Sequence, residues 1–266
     1  MPREVLERNE GRTLFGDDPV AYETGRPGHP EKVYQQLVER CGLGEDARVL
    51  EIGPGTGQVT RRLLELGACR IVAVEPDERL AAYLRERFQK VEVVVAPLEE
   101  AALETEAFDL AVAASAFHWV DEARGLTVVR HALRPGGWWA MWWTLFGEGE
   151  RKDDFMRSVD HLFVDLARSP SSGREGGPPF ALDIDDRLAG LEAAGFVDLR
   201  HELVRWTVTW DTPRIRALYS TFSPIRRLDE DRREALLDEV ALIATRDFGG
   251  QVSRTLVTSL YTARRP

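Results

Sequence analysis

The chain of 266 residues contains little that would cross-link it, anchor it in a membrane or attract it to nucleic acid. Its two cysteines, Cys41 and Cys69, form neither a disulfide framework nor a metal-ligand cluster, so a reducing cytoplasm and no metal are expected. No apolar run approaches the roughly 18 residues of a membrane helix, and residues 1–8 lack an apolar signal core. The net charge of −10 disfavours nucleic acid as a partner, because proteins that track phosphates need a basic face.

What remains is the composition of an ordinary soluble globular protein. Hydrophobic residues make up 43% of the chain and charged residues 30%, which leaves enough apolar surface for a core. A chain of this length buries roughly three quarters of its unfolded surface without any cross-link. We therefore expect one large α/β domain or one domain with a cap.

The most informative stretch is a turn with three glycines at alternate positions, Gly53, Gly55 and Gly57. The apolar run 48–52 precedes it and an amphipathic segment, 58–66, follows, which predicts a buried strand, a tight turn and a helix at the crevice of a doubly wound sheet. A dinucleotide fingerprint needs its third glycine at position 58, where this chain has Gln58. That difference weakens the interpretation as a pyrophosphate site.

An acidic residue, Glu51, ends the predicted strand just before the glycines. A carboxylate there would repel a pyrophosphate but suit a ligand with ammonium and sulfonium charge. The pattern Glu51-x-Gly53-x-Gly55-x-Gly57 resembles the first motif of the class I S-adenosylmethionine-dependent methyltransferases. The resemblance implies S-adenosylmethionine as cofactor and these four residues as part of its site; a plain structural turn is the alternative.

A second acid, Glu75, follows the predicted strand 70–74 and lies 22 residues after Gly53 (75 − 53). At that distance a carboxylate can accept both ribose hydroxyls of a nucleotide-like ligand. The alternative role is a helix cap, which fits Asp77 better than Glu75. Both NAD and S-adenosylmethionine contain the ribose, so Glu75 and the adjacent Pro76 do not distinguish the two cofactors.

The third predicted strand, 91–95, precedes a departure from the family pattern. Pro97 stands where the family usually has an Asp that meets the adenine. The resemblance therefore moves the adenine contact to Leu98, with Glu99 as a further acceptor. The fourth predicted strand, 108–114, ends at Ala114, which the resemblance also assigns to the cofactor site.

A turn with the sequence Ala-Phe-His-Trp follows the fourth strand and is common in the same methyltransferase group. It implies that His118 contacts the substrate or acts as a base, and that Trp119 lines the pocket. A hydrogen-bonded loop histidine and a packing tryptophan are the structural alternatives. Enzymes that methylate nucleobases carry Asn- or Asp-Pro-Pro-aromatic, or Pro-Cys, directly after this strand, and neither motif follows it here, which argues against nucleobase chemistry and a covalent cysteine.

Residues 1–18 have no clear period and are predicted to be a loose arm, and residues 21–30 a fixed loop, because two prolines and two glycines interrupt them. The loop resembles a Tyr-x-x-x-Arg-Pro-x-Tyr-Pro stretch of related enzymes, with Tyr22 and Arg26 matching and His29 in place of the second Tyr. The resemblance implies that this loop closes over the cofactor and that Arg26 binds a carboxylate; a surface turn is the alternative. Pro30 suits a helix start, with Val33, Leu37 and Val38 as its apolar face.

The rest of the chain resembles the family at Leu-Arg-Pro-Gly-Gly (133–137) and, after residue 143, only in general layout, so its elements are predicted mainly from their pattern. A helix over 122–133, a stop at Arg134-Pro135-Gly136-Gly137 and a strand over 138–143 place Trp143 at the crevice. Helices over 153–166, 182–194, 215–220 and 229–244, a flexible loop over 168–179, and strands over 199–210 and 252–262 follow. Tyr219 and Ser223 lie in a Tyr-x-Thr-x-Ser stretch similar to that of related small-molecule enzymes, which implies substrate contacts.

Together these features predict an α/β fold with a Rossmann-like, doubly wound sheet and a helical cap. The resemblance implies seven mostly parallel strands in the order 3-2-1-4-5-7-6. We expect one domain over 1–266, with an arm and lid helix (1–42), a cofactor-binding core (43–143) and cap insertions (144–180 and 211–249). The expected reaction is methyl transfer, without a metal, to an O, N or C nucleophile of a small molecule. A non-catalytic binder of S-adenosylmethionine or S-adenosylhomocysteine is the alternative, and an NAD-linked oxidoreductase a distant one.

Overall fold

Seven strands form one sheet in the computed structural model, which describes residues 4–16, 19–147 and 152–266. The strand order is β3-β2-β1-β4-β5-β7-β6, as the sequence predicts. The strands are β1 Arg48–Ile52, β2 Arg70–Val74, β3 Val91–Val94, β4 Phe108–Ala114, β5 Leu133–Phe146, β6 Val197–Asp211 and β7 Gln251–Arg264. Strands β1 to β5 pair in parallel, and β7 pairs antiparallel with both β5 and β6.

Helices cover both faces of the sheet and also form the connection between β6 and β7. They are α1 Arg8–Thr13, α2 Pro19–Gly25, α3 Glu31–Glu39, α4 Gln58–Glu65, α5 Glu78–Arg87, α6 Glu122–Ala132, α7 Asp154–Val159, α8 Ile184–Ala193, α9 Thr212–Ser220, α10 Ser223–Arg226 and α11 Glu230–Phe248. Within the described ranges, no helix combines the length and the apolar character needed to cross a membrane.

The parallel strands are apolar on both sides because both faces of the sheet are covered. Leu50 of β1 packs in one cluster with Phe117 and Leu126, and the adjacent Val49 packs in another with Leu37 and Leu63. Burial of both faces fixes the register, since a slip of one residue would exchange the two sets. Because β1, β2 and β4 are parallel, their carboxyl ends meet at one edge of the sheet. The strand order reverses there, and ligands bind at this point in such folds.

The chain between β6 and β7 supplies the helical cap (α9, α10 and α11), against which α7 packs. A third apolar cluster joins Phe155 of α7 to Ile215, Leu218 and Val240 of the cap. This cluster holds the cap at the same end of the sheet as the glycine turn. The predicted helical cap is thus present in the structure.

The N-terminal prediction is wrong in the described part. Residues 8–13 form helix α1 instead of a loose arm, and 19–25 form helix α2 within the predicted loop; residues 1–3 and 17–18 lie outside the described residues. Packing explains both helices, which are too short to be stable alone. Gly25 lies so close to α9 that a Cβ there would be 2.4 Å from the Ala217 carbonyl oxygen, and Arg12 of α1 makes a buried ion pair with Glu99.

Helix α3 begins after Pro30 as predicted, but its apolar face is different. Val33 and Leu37 are fully buried, whereas Val38 is 42% exposed and Tyr34 is buried instead. Positions 33, 34 and 37 share a face at 3.6 residues per turn, and position 38 has rotated away from it.

Strand β5 is longer at both ends than the predicted strand 138–143. The predicted stop at 134–137 lies inside it: Leu133 already pairs with Phe108, and an irregularity precedes the pairing of Trp138 with Leu110. A β-bulge of this kind absorbs residues that a regular ladder could not hold.

The cap differs from the prediction in detail. The predicted helix 153–166 divides into α7 and a 3₁₀ turn, Asp160–Phe163, and α10 was not predicted. The loop 168–179 contains one 3₁₀ turn, Pro170–Ser172. Residues 148–151 of the predicted insertion 144–180 lie outside the described residues.

Candidate functional site

A cavity of about 770 Å³ opens at the carboxyl ends of the parallel strands, beneath the cap. Its walls come from the glycine turn, the ends of β2, β4 and β5, the N-terminal helices, the loop 168–179 and the cap. A volume in the range of ~300–1,000 Å³ is usual for small-molecule sites. We call this space the site cavity.

The three glycines of the turn have positive φ angles, and each has a different neighbour. A Cβ on Gly53 would be 2.5 Å from the Ala116 side chain, whereas a Cβ on Gly55 would meet nothing within 4 Å. A Cβ on Gly57 would be 2.3 Å from the Phe88 ring, and Gly57 does not line the site cavity. Gly55 therefore leaves room for a ligand at the backbone, whereas Gly57 lets α4 pack on Phe88. The cofactor role of Gly57 stays a prediction.

Two buried carboxylates lie on the wall beside this turn. Glu51 is 2% exposed and its Oε2 accepts a hydrogen bond of 2.7 Å from Thr60 Oγ1. Glu75 is 3% exposed and accepts from the backbone N–H groups of Gly55 (3.2 Å) and Asp77 (3.0 Å). Burial raises the pKa of each carboxyl to about 7. Each ionised carboxylate has about four acceptor sites, so both retain capacity for a ligand.

Asp77 has the capping role that the sequence predicts for it. Its side chain accepts from the backbone N–H of Arg79 and caps α5. Glu75 is thereby left facing the turn, since its two oxygens reach Gly55 and Asp77 and not a helix N-terminus.

Arg26 joins the N-terminal segment to the cap on another wall of the site cavity. Its Nη2 donates to the Thr221 carbonyl oxygen at 3.2 Å, and its guanidinium lies over the rings of Phe222 (5.2 Å) and Tyr22 (5.6 Å). Its Nε is buried and has no hydrogen-bond partner among the described residues. An unpaired buried donor on a cavity wall is suited to an anionic group of a ligand.

His118 is held by an aromatic neighbour in one tautomer. Trp143 Nε1 donates to His118 Nδ1 at 3.0 Å, and an indole nitrogen is a donor only. The neutral ring therefore carries its proton on Nε2. Burial, followed by the charge of Arg26, lowers the pKa of His118 to about 3, so the ring stays neutral at physiological pH. His118 lines the site cavity, and the N–H of its neutral ring is on Nε2.

One carboxylate oxygen of Glu99 is occupied by the protein itself. Glu99 Oε1 accepts from Arg12 Nη2 (2.7 Å) and from the Asp121 backbone N–H (2.8 Å). Arg12 also donates to the Trp119 carbonyl oxygen, which fastens α1 over that residue. Leu98 lines the site cavity and Glu99 does not, while Glu99 Oε2 has no hydrogen-bond partner among the described residues; the adenine role suggested for Glu99 stays a prediction.

The chain is similar to known methyltransferases in sequence and in fold. A family model described as "Methyltransferase domain" matches residues 50–141. An uncharacterized methyltransferase of Mycobacterium bovis is 31% identical over 203 residues, which is 76% of this chain and 74% of that protein. This protein is a class I S-adenosylmethionine-dependent methyltransferase.

The similarity of this methyltransferase to its relatives extends beyond the glycine motif. An uncharacterized methyltransferase of Schizosaccharomyces pombe is 26% identical over 260 residues, 96% of this chain and 98% of that protein. The structure of phosphoethanolamine N-methyltransferase 2 of Haemonchus contortus aligns with a TM-score of 0.60 at 17% identity, over 98% of this chain and 60% of that one. At that identity the alignment shows a shared fold and nothing about the acceptor.

Fourteen of the fifteen residues predicted for the methyltransferase site line the site cavity, and Gly57 is the exception. The fourteen are Tyr22, Arg26, Glu51, Gly53, Gly55, Glu75, Pro76, Leu98, Ala114, His118, Trp119, Trp143, Tyr219 and Ser223. The structure therefore brings together residues that are up to about 200 positions apart in the chain (223 − 22). Their individual roles remain predictions.

Sequence reasoning missed three parts of the methyltransferase cavity. Ser115, at the end of β4, lines it with a φ of +52°, a strained conformation often found at functional sites. The loop 168–179 supplies Ser169 and Ser171 to the wall. Arg254 of β7 is buried in the wall. The sequence could have revealed it, because it is an arginine at a position of the predicted strand that alternates with apolar residues.

Proposed function

We propose that this methyltransferase transfers the methyl group of S-adenosylmethionine to an O, N or C atom of a small molecule bound in the cap half of the site cavity. The observation that supports this proposal is the asymmetry of that single cavity. Its glycine-turn end has two buried carboxylates, Glu51 and Glu75, and its cap end has aromatic walls that include Trp143, Phe146 and Phe222. A cofactor and a small acceptor fit these two ends, whereas a macromolecule would need an open groove.

The residues of the turn end fit the cofactor. Glu75 would accept the ribose hydroxyls, Glu51 would face the ammonium group, and Leu98 would line the adenine pocket. Arg26, with its unpaired Nε, would bind the carboxylate of the cofactor. The open space at Gly55 leaves room for the cofactor against the backbone. When bound, S-adenosylmethionine supplies a methyl group that is already activated by its sulfonium charge.

The contribution of the chain itself is then orientation and the exclusion of water. The cap and helices α1 and α2 cover the site cavity, and the indole of Trp143 fixes the His118 ring. His118 Nε2–H donates a hydrogen bond to the acceptor and holds it in place for in-line attack. Because its Nδ1 is occupied by Trp143, His118 is an orienting donor in this proposal and not the base that the sequence allowed.

Isothermal titration calorimetry tests the cofactor part of the proposal. S-adenosylhomocysteine should bind and NAD should not, and Gly55→Val should abolish binding because its side chain would occupy the open space. Gly42→Val is the matched control, since Gly42 also has a positive φ (+74°) and open surroundings but lies away from the site cavity. The two variants carry similar backbone strain, so a loss of binding in both would contradict the assignment of Gly55.

Catalysis is tested separately by supplying S-adenosylmethionine with a panel of small acceptors and measuring S-adenosylhomocysteine release. Turnover with at least one acceptor is the expected result. Cofactor binding without turnover on any acceptor would favour the non-catalytic binder, and NAD binding in place of S-adenosylhomocysteine would overturn the assignment of the cavity.

A further inference from the structure

Arg254 is an arginine at a position where the sheet would ordinarily hold an apolar residue. It lies on β7 between Val252 and Leu256, whose side chains face the same way and are fully buried. Arg254 itself is 1% exposed. Burying a guanidinium is unfavourable unless its donors are paired, so the partners of this side chain show what it is for.

The pairing of Arg254 is incomplete. Its Nε donates to Asp153 Oδ2 at 2.6 Å and its Nη1 to Tyr219 Oη at 3.3 Å. The rings of Phe146 and Phe155 lie 5.3 and 5.9 Å from the guanidinium carbon. Its Nη2 has no hydrogen-bond partner among the described residues. A buried donor left unpaired is costly, and this one belongs to a side chain on the wall of the site cavity.

Its two partners hold the guanidinium without completing its hydrogen bonding. Asp153 is already engaged through its other oxygen, which accepts from the Met156 backbone N–H and caps α7. The Tyr219 oxygen accepts from Arg254, so the phenol proton is available to a further acceptor. Burial raises the pKa of Tyr219 to about 12, and the phenol keeps that proton at neutral pH. Arg254 and Tyr219 both line the site cavity, and Arg254 Nη2 and Tyr219 Oη each keep a donor hydrogen that no described residue accepts.

The surroundings of these donors distinguish them from the cofactor end. Arg254 stacks on Phe146, Arg26 stacks on Phe222, and the two rings are 5.5 Å apart. The guanidinium of Arg26 is thus separated from that of Arg254 by a pair of aromatic rings. Phe163 adds to the apolar wall at this end. A ligand bound here would place an acceptor-rich group at Arg254 and an apolar body along the rings.

We propose that Arg254 and Tyr219 bind a carboxylate of the methyl acceptor, and that the acceptor is a small carboxylic acid with an apolar body. A carboxylate is an acceptor-only anion that matches guanidinium and phenol donors. The aromatic wall favours an organic acid over a small hydrated anion. This inference rests on the proposed function, because it places the acceptor in the cap half of the same cavity.

Calorimetry on the complex with S-adenosylhomocysteine tests the inference with matched probes. Benzoate and 3-phenylpropanoate are compared with benzamide and 3-phenylpropanamide, which keep the body and remove the charge. The acids should bind about 10- to 100-fold more tightly than the amides, as expected for a charge-assisted hydrogen bond. Tyr219→Phe should weaken the binding of the acids and leave that of the amides nearly unchanged.

A double variant, Arg254→Met with Asp153→Asn, removes both charges of the buried pair while asparagine keeps the cap of α7. It should abolish the preference for acids. Arg216→Gln is the control, because Arg216 lies on α9 as Tyr219 does but outside the site cavity, where it pairs with Glu234 at 2.5 Å; its preference should be unchanged. Should the double variant not fold, Tyr219→Phe provides the test.

The binding of S-adenosylhomocysteine, measured first, separates the two proposals. Without it the proposed function fails. If S-adenosylhomocysteine binds but the acids bind no better than the amides, or if the double variant keeps the preference, the carboxylate site at Arg254 is refuted.

Discussion

The affinity for S-adenosylhomocysteine should depend on pH through Glu51 and Glu75. Both carboxyls have a pKa of about 7 because they are buried, and the negative charge of Glu75 contributes to the raised pKa of Glu51. In the proposed site both act as ionised carboxylates, one toward the ammonium group and one toward the ribose. Protonation below pH 7 therefore competes with binding.

The magnitude follows from these values. A group with a pKa of about 7 is about 90% ionised at pH 8 and about 10% ionised at pH 6. If one carboxylate must be ionised, affinity should fall about tenfold between pH 8 and pH 6; if both must be, the fall approaches about a hundredfold. The pH range of this effect is unusual for Glu. With its ordinary pKa of 4.5, the affinity would not change between pH 6 and pH 8.

The stability of the free protein should change in the opposite direction. A pKa raised in the folded state from 4.5 to about 7 corresponds to about 3 kcal/mol per group in favour of the protonated form. That contribution is fully present below pH 4.5 and is lost as pH rises through 7. The thermal shift produced by S-adenosylhomocysteine should therefore grow with pH while the contribution of these two groups to free-protein stability declines.

Calorimetry at pH 6, 7 and 8 measures the effect, with three variants. Glu51→Gln and Glu75→Gln should each remove part of the pH dependence, because each replaces a titrating carboxyl with an amide. The glutamine oxygen at position 51 can still accept the hydrogen bond from Thr60, so the local structure should be kept. Glu100→Gln, at an exposed position, should leave the profile unchanged. A wild-type affinity that is constant from pH 6 to 8 would refute the view that these carboxylates bind the cofactor in ionised form.

Three further outcomes are expected. Glu75→Ala should weaken S-adenosylhomocysteine binding by about 1–3 kcal/mol, the loss expected for charged hydrogen bonds; an unchanged affinity with intact folding would make Glu75 a strand-end carboxylate only. Trp143→Phe removes the donor that fixes the tautomer of His118, so turnover should fall more than cofactor affinity; equal losses in both would indicate that the indole only packs. In hydrogen exchange, S-adenosylhomocysteine should protect residues 20–30 and the cap segment 211–249 in addition to the glycine turn; protection confined to the turn would mean that neither segment acts as a lid.

Much of this protein was determined by local sequence. The strands β1, β2 and β4 are short apolar runs ended by turn residues, and their length and their branched side chains favour buried strands. The three glycines and the acids at positions 51 and 75 predicted a crevice and its chemistry because their spacing along the chain fixes their positions at the ends of neighbouring strands. The strand order was predicted through the resemblance that those residues carry.

Contacts between distant segments decided the rest. Helix α1 is held by the ion pair of Arg12 with Glu99, and helix α2 by the close packing of Gly25 on α9. Both partners are far away in the sequence, so a local pattern could not predict these helices. The same holds within the site.

Gly57 looks like the other two glycines in sequence, yet Phe88 gives it a packing role. The tautomer of His118 depends on Trp143, 25 residues away. The unpaired donor of Arg254 exists only because β7 places that side chain between the cap and α7. Propensity and periodicity act over a few residues, whereas burial, pairing and the tautomer of a ring are set by whichever groups the fold brings within a few ångströms.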